Sequence, residues 1–144
     1  KDDLWTGDRD YATDITSVCS GMHLLVAEDN ELNYEAISEL LGMNGISCER
    51  AEDGAICVDK FKAAAPGTYN GILMDLQMPV MDGIAASCAI RELDHPDAKQ
   101  IPIIAITANA FAKDIERCRL AGMNEHLSKP LNIRRLISIL SKFK

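Results

Sequence analysis

No apolar run in this 144-residue chain approaches the roughly eighteen residues that a membrane-spanning helix needs, and no signal-peptide pattern opens it. Nothing in it is expected to cross or touch a membrane directly. Basic charge is also scarce: 15 Lys and Arg stand against 22 Asp and Glu, a net −7, with no basic arm to offset it. Such a balance argues against electrostatic binding to nucleic acid or to an anionic lipid surface. The five cysteines, Cys19, Cys48, Cys57, Cys88 and Cys118, form no C-x-x-C pair and are odd in number. Neither a disulfide framework nor a zinc site is indicated, and reduced thiols in a cytoplasmic compartment are the expectation. Internal repeats and low-complexity segments are missing as well.

What is present is a single-domain length with 47% hydrophobic residues, enough to bury a substantial core. The chain opens on Lys1 rather than methionine. A fragment of a longer protein is therefore expected, and its parent could be anchored in an inner membrane. Residues 1–21 read as an acidic linker or tail, since Asp2, Asp3, Asp8, Asp10 and Asp14 outweigh Lys1 and Arg9 and few apolar residues accompany them. Leu4, Trp5, Tyr11 and Ile15 offer a weaker alternative there, a short helical stripe that docks on a neighbour. The folded domain is expected over 22–144.

Strand and helix signals alternate along that domain. His23–Ala27 reads as a first strand, followed by a helix over about 30–44 carrying Ala36, Ile37, Leu40 and Leu41, with Gly45 past its end. Residues 46–51 alternate apolar and polar, as an edge strand would. Asp53-Gly54 turns into a second helix with Ile56, Val58 and Phe61, closed by Pro66-Gly67. A third strand leads to Asp75, and a helix over 85–93 follows, stopped by Pro96. Asp82 is placed to cap that helix, with Gly83 supplying backbone freedom. A strand over 101–107, a helix over 111–121, a strand near 125–128 and a last helix bearing Ile133, Leu136, Ile137 and Leu140 complete the pattern. Five such βα units with near-continuous apolar central strands imply a parallel α/β sheet covered on both faces, with ligands at the carboxyl ends of the strands.

The polar residues gather at that edge. Ile72-Leu73-Met74 runs straight into Asp75, and a carboxylate at the end of a buried strand needs a partner or a metal. Glu28-Asp29 closes the first strand, Thr107 the fourth, and Lys129 follows the fifth, immediately before Pro130. An acid pair, a single acid, a hydroxyl and an amine are the parts of a metal-assisted phosphoryl site. His23 and His95 lack a second histidine at ligand spacing and read as surface or structural.

The set Glu28-Asp29-Asn30, Met74-Asp75-x-x-Met78-Pro79-x-Met81-Asp82-Gly83, Thr107-Ala108 and Ser128-Lys129-Pro130, in this order, resembles the receiver domain of two-component response regulators. The segments Asn109-Ala110-Phe111 and 121–130 are most similar to receivers of hybrid sensor histidine kinases. The resemblance implies a flavodoxin-like (βα)5 doubly wound sheet with strand order 2-1-3-4-5. It further implies a phosphoacceptor module with no ATP site of its own, in which Asp75 takes a phosphoryl group from the phosphohistidine of a histidine kinase or a histidine phosphotransfer domain. Mg²⁺ would be held by Asp29 and Asp75, with Glu28 acting through water and the Gln77 backbone carbonyl as a further ligand, a count that suits an ion binding one or two carboxylates. Lys129 would supply a point charge and Thr107 a hydroxyl to the phosphoryl oxygens. Thr107 and His126 would form the switch, histidine departing from the Tyr or Phe that is frequent at the latter position. Asn30, Asn33, Ile37 and Pro130 would line the docking face. Two other classes share parts of the pattern: a flavin-binding electron carrier, opposed by negative charge at 27–30, and an aspartate-based phosphatase, opposed by Gln77 two residues after Asp75.

Overall fold

A computed structural model describes residues 19–108 and 112–143. The amino-terminal stripe, most of the acidic tract and the Asn109–Phe111 segment lie outside the described residues. Among the described residues, five strands and five helices alternate: β1 (His23–Ala27), α1 (Glu31–Gly42), β2 (Ser47–Ala51), α2 (Gly54–Ala63), β3 (Gly71–Asp75), α3 (Gly83–Glu92), β4 (Ile103–Thr107), α4 (Ala112–Leu120), β5 (Glu125–Ser128) and α5 (Ile133–Ser141). All four strand pairings are parallel, in the order β2-β1-β3-β4-β5. The expected α/β architecture and strand order are both present.

Period-two alternation along the buried strands divides the core into two layers. Leu25, Ala27, Ile72, Met74, Ile103 and Ala105 face α2 and α3, where Cys57, Phe61, Ala86 and Ile90 meet them. Leu24, Val26, Leu73, Ile104, Ile106 and Leu127 face α1 and α5, against Ile37, Leu41, Leu136, Ile137 and Leu140. Every residue of β3 and β4 is buried, whereas edge strand β2 is buried only at Ala51. Each fully buried Leu, Ile or Phe contributes about 1.5–3 kcal/mol relative to exposure, so the central strands carry the fold. Cys19, in the stretch grouped by composition with the tail, is wholly buried and its thiol donates to the Ile137 carbonyl oxygen at 3.6 Å.

Local boundaries follow capping chemistry. Asn30, Asp53, Asp82 and Asn132 each accept the backbone N–H three residues on, and so start α1, α2, α3 and α5. α3 therefore begins at Gly83, two residues earlier than its apolar pattern indicates. Gly83 also departs from expectation in its reason: a Cβ there would collide with the Asp75 carbonyl oxygen and lie 2.9 Å from Met74 Cγ. Close approach requires the glycine, not a left-handed backbone. β4 begins at Ile103 rather than 101, because Pro102 has no N–H to give the ladder. Its carbonyl still accepts from Ile72 at 2.8 Å.

Candidate functional site

Because all five strands are parallel, their carboxyl ends share one edge, and the polar residues noted above meet there. Asp75 ends β3, Glu28 follows β1, Thr107 ends β4 and Lys129 follows β5. The Lys129 amide donates to the Thr107 carbonyl at 2.9 Å, which seats the lysine over the centre of the sheet. Its Nζ reaches Asp75 Oδ2 at 2.9 Å and Glu28 Oε1 at 3.5 Å. The second Asp75 oxygen accepts the Gln77 N–H at 3.2 Å. The Lys129-Pro130 peptide bond is cis.

Carboxylate oxygens of Glu28, Asp29 and Asp75 all lie within 4.8 Å of one another. Glu28 is 1% exposed and Asp75 4%, so two of the three charges are withdrawn from water. Glu28 Oε2 accepts the Asn30 N–H at 3.1 Å, but Oε1 has no hydrogen-bond donor of its own. Burial pushes the Glu28 carboxyl above the usual glutamate range, and the negative charge of Asp75 adds to the rise. Burial alone would lower the Lys129 ammonium, yet its hydrogen bond to Asp75 and the charges of Asp75 and Glu28 prevail and hold it above the usual lysine value. Three converging hard oxygen ligands, one of them met only by the Lys129 ammonium at 3.5 Å, fit a small divalent cation such as Mg²⁺.

A cleft of about 200 Å³ opens onto this cluster, lined by Glu28, Asp29, Asp75, Gln77, Thr107 and Lys129 among others. It continues toward α4 as a wider space of about 550 Å³ that reaches Asp82, Asp114 and Arg117. The expected docking residues separate into two groups. Asn33, Ile37 and Pro130 line a shallow apolar groove of about 150 Å³ beside α1, with Ile37 itself only 5% exposed, while Asn30 sits at the cleft as the α1 cap. His126 is half-buried on β5 opposite Ala105, and Thr107 lies opposite Ser128. Two-residue periodicity places the Thr107 and His126 side chains on one face of the sheet. His23 and His95 are structural: His23 Nδ1 pairs with Ser47 Oγ at 2.7 Å, and His95 bonds the Ala64 carbonyl at 2.8 Å and the Asp97 amide at 3.0 Å.

Sequence reasoning missed two residues. Arg50, at the penultimate position of β2, donates through Nε to the Glu28 carbonyl at 3.1 Å and through Nη2 to the Asp29 carbonyl at 2.9 Å. Only a cation near the end of an edge strand hinted at it. Val80, in the β3–α3 loop beside the site, adopts φ 68° with 84% of its surface exposed. No sequence signal marks a β-branched residue for that conformation.

Comparison with known proteins agrees with this geometry. The family profile of the response regulator receiver domain matches residues 24–141. The peroxide stress-activated histidine kinase mak1 of Schizosaccharomyces pombe is 40% identical over 123 residues, which are 85% of this chain and 8% of that protein. Among the curated relatives the chain matches, it spans 5–14% of their length. The receiver domain of a sensor histidine kinase from Pseudomonas aeruginosa, solved with a magnesium ion coordinated in its active-site cleft, superposes with TM-score 0.75 at 36% identity, covering 86% of this chain and 98% of that one. The receiver domain of Saccharomyces cerevisiae Ssk1, co-crystallised with the histidine phosphotransfer protein Ypd1, gives TM-score 0.72 at 29% identity, covering 85% and 88%. A five-stranded sheet in the order 2-1-3-4-5, an acid cluster with a lysine at its carboxyl edge and this match over most of the chain lead to one conclusion: the protein belongs to the response regulator receiver domains of two-component signalling.

Proposed function

We propose that this domain accepts a phosphoryl group on Asp75 from a phosphohistidine, in a Mg²⁺-dependent step of a phosphorelay. The observation that carries the reading is the Asp75 carboxylate, 4% exposed, held 2.9 Å from Lys129 Nζ and grouped with the carboxylates of Glu28 and Asp29. A carboxylate placed so is a nucleophile whose charge Lys129 offsets on one side and a cation held by the acid cluster would offset on the other. Glu28, Asp29, Asp75 and the Gln77 carbonyl would hold the cation, which when bound neutralises charge on carboxylate and phosphoryl oxygens.

An Asp75 oxygen forms the new P–O bond as the P–N bond of the donor breaks and its electron pair returns to the imidazole. Lys129 leaves its contact with Asp75 to hold a phosphoryl oxygen, where its point charge offsets the added negative charge. Thr107, at the end of β4, donates its hydroxyl to the attached group and draws toward it. On the same sheet face, the ring of His126 follows into the space released, so that phosphorylation favours one of two arrangements by its contacts. The donor domain seats on the groove beside α1, at Asn33, Ile37 and Pro130, with Asn30 at its edge.

The parent would be a cytoplasmic or inner-membrane-anchored hybrid histidine kinase, with a kinase or histidine phosphotransfer domain as partner and no role for nucleic acid. A flavin phosphate, by contrast, would have to sit beside Glu28 and Asp29. Incubation with Mg²⁺ and a small acyl phosphate is expected to add one base-labile phosphoryl group, and Asp75→Asn to abolish it. Labelling of the substituted protein at the wild-type rate would overturn the assignment.

A further inference from the structure

We infer that Arg50 is a positioning residue for the acid pair: its guanidinium, planted on β2, fixes the backbone that aims Glu28 and Asp29 into the cation site. The inference rests on the metal-binding reading above and concerns a residue outside the receiver motifs.

Backbone hydrogen bonds at the end of β1 leave two carbonyls for Arg50 to hold. β1 and β2 pair rung by rung as far as Ala27 and Ala51, and one further bond, Glu28 N–H to the Ala51 carbonyl at 3.0 Å, extends the ladder past the strand end. Beyond it the chain turns toward α1. The carbonyls of Glu28 and Asp29 there accept from Arg50 Nε at 3.1 Å and Nη2 at 2.9 Å. A rigid fork that donates to two successive carbonyls fixes both intervening peptide planes, and with them the Cα–Cβ directions of the two acids. The same guanidinium lies 5.8 Å from the centre of the Tyr34 ring on α1, so it bridges the loop from strand to helix.

The choice of partner is informative in a chain of net charge −7, where Glu49 and Glu52 flank Arg50 closely. Among the described residues, no ion pair is formed by Arg50 within 4.0 Å. A guanidinium suited to bidentate carboxylate binding is instead given to the loop that carries two of the three candidate ligands. Nothing else among the described hydrogen bonds holds the Asp29 carbonyl.

Positioning and simple charge predict opposite signs, which makes the test decisive. A cation near the site repels Mg²⁺, so if charge were the whole effect Arg50→Met would bind Mg²⁺ more tightly and Arg50→Lys would match wild type. If Arg50 positions the acids, both variants weaken Mg²⁺ binding, by roughly tenfold as is usual when a group orienting a ligand is removed. Lys would fail to rescue because one ammonium cannot span two carbonyls in a fixed fork. The measurement is the Mg²⁺ dissociation constant, from titration of amide NMR shifts, on wild type, both variants and Lys62→Met, an exposed charge-loss control on α2. The control is expected to stay within twofold of wild type. Broadening of the Asp29 and Asn30 amides in the metal-free variants is the accompanying signature.

Unchanged or tighter Mg²⁺ binding in the folded variants would overturn the inference. So would loss of folding in both, which would make Arg50 a folding residue only. A wild-type protein that fails to bind Mg²⁺ would instead defeat the metal reading, while the Asp29 and Asn30 amides would still report whether Arg50 braces the loop.

Discussion

Lys129 stands between two carboxylates, 2.9 Å from Asp75 and 3.5 Å from Glu28, and the roles proposed for it follow from that position. Lys129→Ala removes a cation beside the metal site, so Mg²⁺ affinity is expected to stay equal or rise, while the rate of phosphorylation falls by an order of magnitude or more. Loss of Mg²⁺ binding in that variant, followed by the same titration, would reverse the roles given to Lys129 and to the acids. Val80 is a different kind of residue. Its φ of 68° is costly for a β-branched side chain, about 1–2 kcal/mol, and at 84% exposure it recovers little by burial. Asparagine tolerates this conformation, so Val80→Asn is expected to raise unfolding free energy by about 1 kcal/mol in denaturant titration. A lower midpoint would mean that Val80 makes compensating contacts.

Secondary-structure elements meet with little tolerance at the site. The first residue of α3 packs on the last residue of β3, and only the missing Cβ of Gly83 lets the two backbones approach. Gly83→Ala is expected to push α3 away from Asp75, destabilising the domain by roughly 1–3 kcal/mol, the range for an overpacked contact, and weakening Mg²⁺ binding with it. Thermal melts paired with metal titration check both. At the opposite edge, Glu49 ties β2 to α2 and to the segment before β3. Burial works against its ionised form, but hydrogen bonds from Lys60 at 3.2 Å and Tyr69 at 3.1 Å prevail and hold its carboxyl below the usual range. A depressed value in the folded state means stability that is present above the ordinary glutamate value of 4.5 and is lost as pH falls through the lower folded one. Glu49→Gln should therefore cost stability at pH 7 but progressively less below pH about 4.5. With 41% of its side chain exposed the pair is screened, and the loss should be under about 1 kcal/mol and shrink in salt. An equal deficit at pH 7 and in strong acid would show that packing, not charge, is what Glu49 contributes.

For the molecule as a whole, the site is a local cost to the fold. Two buried carboxylates share one lysine with a third carboxylate nearby, and the Glu28 carboxyl sits above its usual range because of burial and its neighbour Asp75. A cation that binds the native state alone should add stability by mass action, about 2.7 kcal/mol at a hundredfold excess over its dissociation constant. Saturating Mg²⁺ is thus expected to raise the melting temperature of wild type by several degrees and to leave Asp29→Asn nearly unmoved. A melting temperature indifferent to Mg²⁺ would count against the metal site.

Much of this is legible in the amino-acid sequence. Apolar runs broken by Asp, Gly and Pro fix where strands end, and parallel strands put their ends on one edge, so Glu28, Asp29, Asp75, Thr107 and Lys129 could be gathered from sequence alone. The helix cap at Asp82 was similarly local, being a hydrogen bond to the residue three positions on. What sequence could not supply were relations between residues far apart in the chain or set by packing. The backbone carbonyls that Arg50 braces lie 22 and 21 residues away, and no side-chain pattern records an acceptor that every residue carries. The burial of Glu28 Oε1 without a hydrogen-bond donor, the close approach of Gly83 to Asp75 and the left-handed turn at Val80 likewise exist only once α3, β1 and β3 are packed together. Sequence determined which chemical groups reach the edge of the sheet; tertiary structure decided how they are aimed, because direction depends on neighbours that periodicity does not encode.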